Sequence, residues 1–357
     1  MTVPPASPFD VEDVRARVSS ALRVFIAERE TILTDVGQDV GELHSAIVDF
    51  TGAGKRLRPL FCWWGWRAAG GDNVEAAIVA AASLELLQAC ALIHDDVMDG
   101  SDTRRGAPSI HRRIAALHEG EGWQGDAAAF GVAGAILLGD LCLSWSDEML
   151  FASGLPSDAL IRAKPIADIM RTELMAGQYL DVVAQARAKA SATEALQVAR
   201  FKSAKYTIER PLHLGVALAG GPPELMTTFT SYGLPLGEAF QLRDDVLGVF
   251  GDPEVTGKPA GDDLREGKRT FLVASAYEQA SPTATSLLDE LLGTDLDDSQ
   301  VAALRQVIIE TGALQKTENH ILKRTEESLG ALDPNQVEEP ARSVLADLAL
   351  AATNRHG

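Results

Sequence analysis

The chain has 357 residues, of which 46% are hydrophobic and 23% charged, a globular composition that excludes an intrinsically disordered chain. Its formal net charge of −19 offers no basic face for general nucleic-acid binding, so no nucleic-acid partner is expected. The length would permit two domains, but no linker divides the sequence, which predicts a single domain over 1–357.

Helical periodicity runs through the whole chain. Val11, Val14, Val18, Leu22 and Phe25 fall at three-four spacing. They predict an amphipathic first helix starting near Ser7 or Asp10, with roughly residues 1–8 flexible ahead of it. A segment over 40–50 leads into the break Thr51-Gly-Ala-Gly54, and a helix from Leu57 carries Phe61, Trp63, Trp64 and Trp66. Gly70 and Gly71 are its stop signal. Asn73 is placed to cap the next run, 74–98, which is apolar on nearly every face and so reads as a buried helix. Further helices are predicted at 109–117, 127–152, 157–188, 192–218, 223–250, 269–280, 283–293, 298–314, 316–330 and 338–353. Glycine and proline turns separate them, and no window shows strand alternation.

Cys62, Cys90 and Cys142 lie in apolar helical contexts without paired or metal-ligand spacing. They read as reduced core residues of a cytoplasmic protein. The N-terminus lacks a basic stretch followed by an apolar one, so no signal peptide is expected. The longest apolar run, 127–138, is broken by Asp140 and falls short of the ~20 residues that span a bilayer, so no stable membrane insertion is expected.

The chemistry concentrates at the end of the 74–98 run. Asp95 and Asp99 stand at i and i+4, so both carboxylates project from one side of the helix. Two like charges there are tolerated more readily with a cation between them. Hard oxygen ligands suit Mg²⁺, which keeps waters and shares its shell with substrate phosphates. Arg104 and Arg105 follow with forked donors that match phosphate oxygens. A second acidic pair, Asp244 and Asp245, ends another apolar helix, and the Gly-rich loop after it carries Lys258 and Lys268. A third basic element, Gly54-Lys-Arg-Leu-Arg-Pro59, has no acids of its own. With Lys55 and Arg58 at a helix start it would suit a second phosphate group held without metal.

Taken together, these motifs resemble the trans-isoprenyl diphosphate synthases, or polyprenyl synthetases. The resemblance rests on five features in order: Gly54-Lys-Arg-Leu-Arg-Pro59; Asp95-Asp-Val-Met-Asp99 with Arg104-Arg105-Gly106; Gly177-Gln-Tyr-Leu-Asp181; Lys202-Ser203; and Phe240-Gln241 with Asp244-Asp245 and the Gly-Lys-Pro loop. It implies an all-α isoprenoid synthase bundle around a central cavity. It implies an enzyme that condenses isopentenyl diphosphate with an allylic diphosphate (dimethylallyl, geranyl or farnesyl), and a homodimer. Asp95, Asp99 and Asp244 would hold Mg²⁺, three ions with substrate bound, and Asp96 and Asp245 would orient their neighbours or bind metal waters. Arg104, Lys202 with Ser203, Gln241 and Lys258 would contact the allylic diphosphate. Lys55, Arg58 and Arg105 would hold isopentenyl diphosphate, and Lys268 would help close the site. The proton released on condensation would leave with the departing pyrophosphate.

Three positions depart from the family pattern. Ala53 replaces a glycine, Gln88 stands where a histidine is common in the isopentenyl diphosphate site, and Gly248 stands where many relatives complete the second motif with aspartate. The last change should weaken that cluster's metal shell. Upstream of Asp95, the small Cys90 and Ala91 lie about 6–7.5 Å along the helix axis. The family stops at farnesyl with an aromatic residue near this point. Their size therefore predicts a deeper pocket, with Leu87 and Leu84 as a later floor and geranylgeranyl diphosphate as the main product. A class I terpene cyclase would need neither the Lys55–Arg58–Arg105 group nor a second acidic pair. A non-catalytic regulatory subunit would tend to lose its acids.

Overall fold

The computed structural model describes residues 10–187, 191–252 and 261–353. They form two compact units: Met1–Lys164 with Leu214–Gly221, and Pro165–His213 with Pro222–Gly357. The sequence predicts one domain. The structure groups the residues in two units, and no single cut separates them, because each is built from two stretches of chain.

The first unit contains α1 (Val14–Val36), α2 (Gly41–Thr51), α3 (Leu57–Ala68), α4 (Glu75–Met98), α5 (Ile110–Gly120) and α6 (Ala127–Phe151). Between α4 and α5 lies a two-residue antiparallel ladder, Thr103–Arg104 with Ala107–Pro108, too short for alternation to reveal in sequence. α4 is the core helix, buried along almost its whole length and packed by α1, α2, α3, α5 and α6. Trp63 and Trp64 of α3 are fully buried, and the Trp63 indole N–H donates to Glu12 Oε2 at 2.8 Å. That bond gives the polar edge of a buried aromatic its partner.

Two expectations shift here. α1 starts at Val14, and the Asp10 carboxylate accepts the Arg15 backbone N–H at 3.2 Å from outside it. Asn73 does not cap α4; its side-chain oxygen accepts from Arg17 at 2.8 Å, and the cap position is Val74. A nearby guanidinium has outcompeted the helix end for the amide.

α6 runs past Asp140 to Phe151, close to its predicted range of 127–152. By length and composition alone, α4 and α6 could each cross a membrane. Most of α4's apolar stretch is buried inside the unit, whereas α6 leaves Phe130, Ile136, Leu137 and Phe151 exposed.

Two helices, α7 (Ser157–Ala186) and α9 (Arg210–Ala219), contribute residues to both units. The second unit adds α8 (Ala192–Val198), a π-helical stretch Ala199–Glu209, and α10 (Pro223–Phe250). After these come α11 (Asp262–Arg265), α12 (Phe271–Gln279), α13 (Pro282–Leu291), α14 (Asp298–Glu310), α15 (Ala313–Gly330) and α16 (Ala341–Thr353). α10 is central, packed against the π-helical stretch, α11, α12, α15 and α16. Leu242, Val246 and Val249 of α10 bury against Leu264, Leu272, Leu304 and Ile321. Ser191, Thr270, Ser281 and Asp297 cap α8, α12, α13 and α14 with side-chain oxygens, which fixes where each begins. The predicted continuous helix over 192–218 is thus interrupted by a π-helical stretch, a rare form that frequently marks functional segments.

Candidate active site

In the first unit, α4 ends in its acids. Asp96 is fully buried, and Asp95 and Asp99 are half-buried. The backbone N–H of Asp99 closes the helix on the Asp95 carbonyl at 2.8 Å. The chain then folds back through the short ladder, whose turn residues Arg105 and Gly106 both have positive φ (55° and 77°). Such a turn matches the twist of paired strands. It returns Arg104 to α4, where Nε donates to Asp96 Oδ1 at 2.8 Å and Nη2 lies against the same oxygen. Arg104 Nη2 is also 3.8 Å from Asp95 Oδ2. The buried charge of Asp96 is therefore met by a guanidinium eight residues on.

Arg105 donates to the Ala53 carbonyl at 2.7 Å and lies over the Phe50 ring. Burial lowers its proton affinity; Glu85 opposes that, and Arg104, Arg56 and Arg58 add to it. Three guanidiniums thus stand within electrostatic reach of Arg105, among them that of Arg58, its predicted partner. Lys55 precedes them on the surface. Arg56 lies within the same basic motif. Its backbone is left-handed (φ 54°), and it is buried in an ion pair with Glu85 at 2.7 Å while donating to the Thr51 carbonyl. It braces the loop from beneath. Gln88 is half-buried on α4, two turns before Asp95.

Further up α4, Leu84 and Leu87 are buried, Cys90 is fully buried and Ala91 is half-buried. The Cys90 thiol lies 3.8 Å from His94 Nδ1, and burial, helped by the charge of Asp140, pushes it up to about 12. His94 Nε2 contacts the Ile136 carbonyl at 3.1 Å and Asp140 at 3.8 Å. His94 is therefore occupied with α6.

In the second unit, α10 carries Asp244 half-buried and Asp245 buried. Gln241, expected on the diphosphate, donates its amide N–H to Asp245 Oδ1 at 2.7 Å. Burial raises the Asp245 carboxyl to about 8; the Gln241 bond works against this, while Asp263 and Asp244 add to it. Asp263, buried at the start of the short α11, has no role in the sequence reading. Its one signal in the sequence is a third Asp-Asp pair, Asp262-Asp263, just ahead of Lys268. Lys268 lies 3.6 Å from Asp263 and closer still to Glu266. Lys258 lies outside the described residues.

Lys202 sits in the π-helical stretch, where half-buried Ser203 follows it. Its ammonium bonds Asp181 on α7 at 2.7 Å. Gly177, one turn earlier on α7, explains how the two elements come so close: a Cβ there would lie 2.4 Å from the Lys202 nitrogen of the main chain. The motif Gly177–Asp181 therefore works as a unit, with the glycine admitting the backbone and the aspartate fixing the side chain. Glu173, an isolated acid in the sequence, forms a bidentate pair with Arg210 (2.7 and 2.8 Å) and also meets Lys205 at 3.0 Å.

Among the described residues, no three His, Cys, Asp or Glu side chains are gathered in a group that could hold a metal ion. The carboxylate oxygens at each acidic end nevertheless fit Mg²⁺, which takes one or two carboxylates and completes its shell with water and substrate phosphates.

Residues 41–309 match the Polyprenyl synthetase family. A geranylfarnesyl diphosphate synthase of Aeropyrum pernix is 33% identical over 270 residues, 74% of this chain and 79% of that relative. A geranylgeranyl diphosphate synthase of Methanosarcina mazei is 31% identical over 280 residues, 78% of this chain and 79% of that one. Among solved structures, the fold is similar to that of a geranylgeranyl pyrophosphate synthase from Corynebacterium glutamicum, complexed with isoprenyl diphosphate and magnesium. The TM-score is 0.94 and the identity 43%, over 97% of this chain and 100% of that one.

Proposed function

The chain belongs to the polyprenyl synthetase family, and from that premise we propose its residue roles and its product. It is an isoprenyl diphosphate synthase, a trans-prenyltransferase that condenses isopentenyl diphosphate with an allylic diphosphate. Asp95 and Asp99, one turn apart on α4, bind magnesium with the allylic diphosphate, and Asp244 binds a further ion, three in all with substrate bound. When bound, these ions stabilise the charge developing on the departing pyrophosphate.

The protein's own groups orient the reactants. Arg104, aimed by Asp96, and Lys202, aimed by Asp181, address the allylic diphosphate, a role that Ser203, Gln241 and Lys258 share. Lys55, Arg58 and Arg105 take the diphosphate of isopentenyl diphosphate, and Gln88 contributes its amide. The observation that carries this reading is the guanidinium group of the first unit. Burial lowers the proton affinity of Arg105, Glu85 opposes this and three arginines add to it, and Arg105 reaches the Ala53 carbonyl at 2.7 Å, a cationic loop that suits a diphosphate. With both diphosphates fixed, the double bond of isopentenyl diphosphate attacks the allylic carbon as its bond to pyrophosphate breaks. The proton lost to regenerate a double bond leaves with the pyrophosphate.

Ala91 is four residues from Asp95 and projects to nearly the same side of α4, with Leu87 and Leu84 further along. No aromatic residue closes this column, which supports geranylgeranyl diphosphate as the main product. Cys90 is packed against His94, so a large side chain there must also repack the α6 side. Ala91→Phe is the sharper test: product sizing should show a shift toward farnesyl diphosphate, and an unchanged distribution removes this column from length control. The exposed apolar residues of α6 support a homodimer.

The reading is tested by incubating the purified chain with Mg²⁺, isopentenyl diphosphate and each allylic primer in turn. Elongation to a prenyl diphosphate is expected, and no elongation with any primer overturns it.

A further inference from the structure

Gly248 stands in the last turn of α10, where the helix could carry a side chain. The structure accounts for it. A Cβ built at Gly248 would lie 2.0 Å from Asp263 Oδ2, 2.5 Å from its carboxyl carbon and 3.0 Å from Oδ1. Hence the whole carboxylate of Asp263 rests in the space that a side chain at 248 would fill. Position 248 is four residues after Asp244, so it shares that residue's face of the helix.

We propose that Asp263 supplies, from α11, the carboxylate that α10 lacks at position 248, so that Asp244 and Asp263 form the paired metal-directed oxygens of the second acidic end. The pairing reproduces through space what Asp95 and Asp99 achieve along one helix. Gly248 is then a permissive residue, and its loss of a carboxylate is not a loss to the site. The neighbours are consistent with this placement. Asp263 sits close enough to raise the Asp245 carboxyl, and its backbone carbonyl is held by the Lys268 N–H at 3.0 Å, which anchors α11 at that height. Lys268 lies 3.6 Å from Asp263 and closer to Glu266.

The inference rests on the metal-dependent reading above, and the test separates the two. Mg²⁺ is titrated calorimetrically into the full chain saturated with inorganic pyrophosphate, and the thermal midpoint of each variant is recorded. Asp263→Asn should weaken Mg²⁺ binding about 10–100-fold, the usual cost of disturbing a residue that supports a metal shell. Gly248→Ala should do the same by displacing the carboxylate, and the two changes together should cost little more than either alone. The decisive variant moves the carboxylate: Gly248→Asp with Asp263→Ala should restore affinity to within a few-fold of the parent chain, because the oxygens return to the same place.

Unchanged Mg²⁺ affinity in a folded Asp263→Asn chain overturns the proposal, as does a folded double variant that regains none of the lost affinity. If the parent chain binds no Mg²⁺ with pyrophosphate, or Asp95→Asn is equally without effect, the functional reading falls and takes this inference with it. A weakened Asp95→Asn beside an unaffected Asp263→Asn overturns this inference alone.

Discussion

The two acidic helix ends share the sequence Asp-Asp-Val yet balance their charge by different means. On α4 the middle aspartate, Asp96, is fully buried and receives a guanidinium from Arg104. On α10 the equivalent Asp245 is also buried but receives the neutral amide of Gln241, and its carboxyl rises to about 8. The first end draws its third carboxylate from the same helix as Asp99, whereas the second has Gly248 there and Asp263 beside it. One local motif has therefore been completed by two different sets of distant partners, and the partners decide how much charge each end carries before any cation arrives.

This contrast is most directly broken by removing ligands. Asp95→Ala should lower turnover by ~10³-fold or more, as expected for losing a group directed at developing charge, and Asp244→Ala by ~10²-fold. Steady-state rates at saturating Mg²⁺ give both values, and an equal or larger loss at Asp244 would reverse the ranking of the two ends.

Next in size are the partners of the middle aspartates. Arg104→Gln leaves the buried Asp96 charge without its guanidinium, which should cost about 3–5 kcal/mol of stability. Gln241→Ala removes a neutral donor and should cost about 1–3 kcal/mol. Urea unfolding of the metal-free chain compares them, and similar losses would mean that the two ends are electrostatically alike.

The remaining contrast is the pH response. The folded Asp245 carboxyl, at about 8, lies above its unfolded value of roughly 3.9. The folded state thus holds this proton more tightly. The associated stability is fully present below about pH 4 and is lost as pH rises through 8. In EDTA, Asp245→Asn should flatten that decline when thermal midpoints are followed from pH 5 to 9. A variant with the parent's slope would show that Asp245 is not the group responsible.

Much of this architecture was legible from local pattern. Apolar periodicity bounded by glycine and proline placed α6, α7 and α10 within two residues of their observed ends. The ordered motifs located both acidic ends and the basic loop before α3. What escaped was set by distant neighbours. Asn73 has a capping residue's chemistry but is claimed by Arg17, 56 positions away. The π-helical stretch around Lys202 is buried on too many sides for its apolar residues to distinguish one helical period from another. Asp263 looked like one more loop acid, because only the packing of α11 on α10 reveals that Gly248 makes room for it. The Arg105-Gly106 turn lacks the Asn-Gly or Asp-Gly signature that announces most such hairpins.

The indole groups supply a last consequence. Trp63 and Trp64, buried in α3, belong with Trp66, Trp123 and Trp145 to the first unit, and the chain has no other tryptophan. Intrinsic fluorescence is therefore a one-sided optical label: it watches the half of the sequence that holds Asp95 and Asp99 and is blind to the half that holds Asp244. Circular dichroism at helical wavelengths sees both. Overlaying the two melting traces would tell, without any engineered dye, whether the acidic ends lose their scaffolds in one cooperative event or in succession.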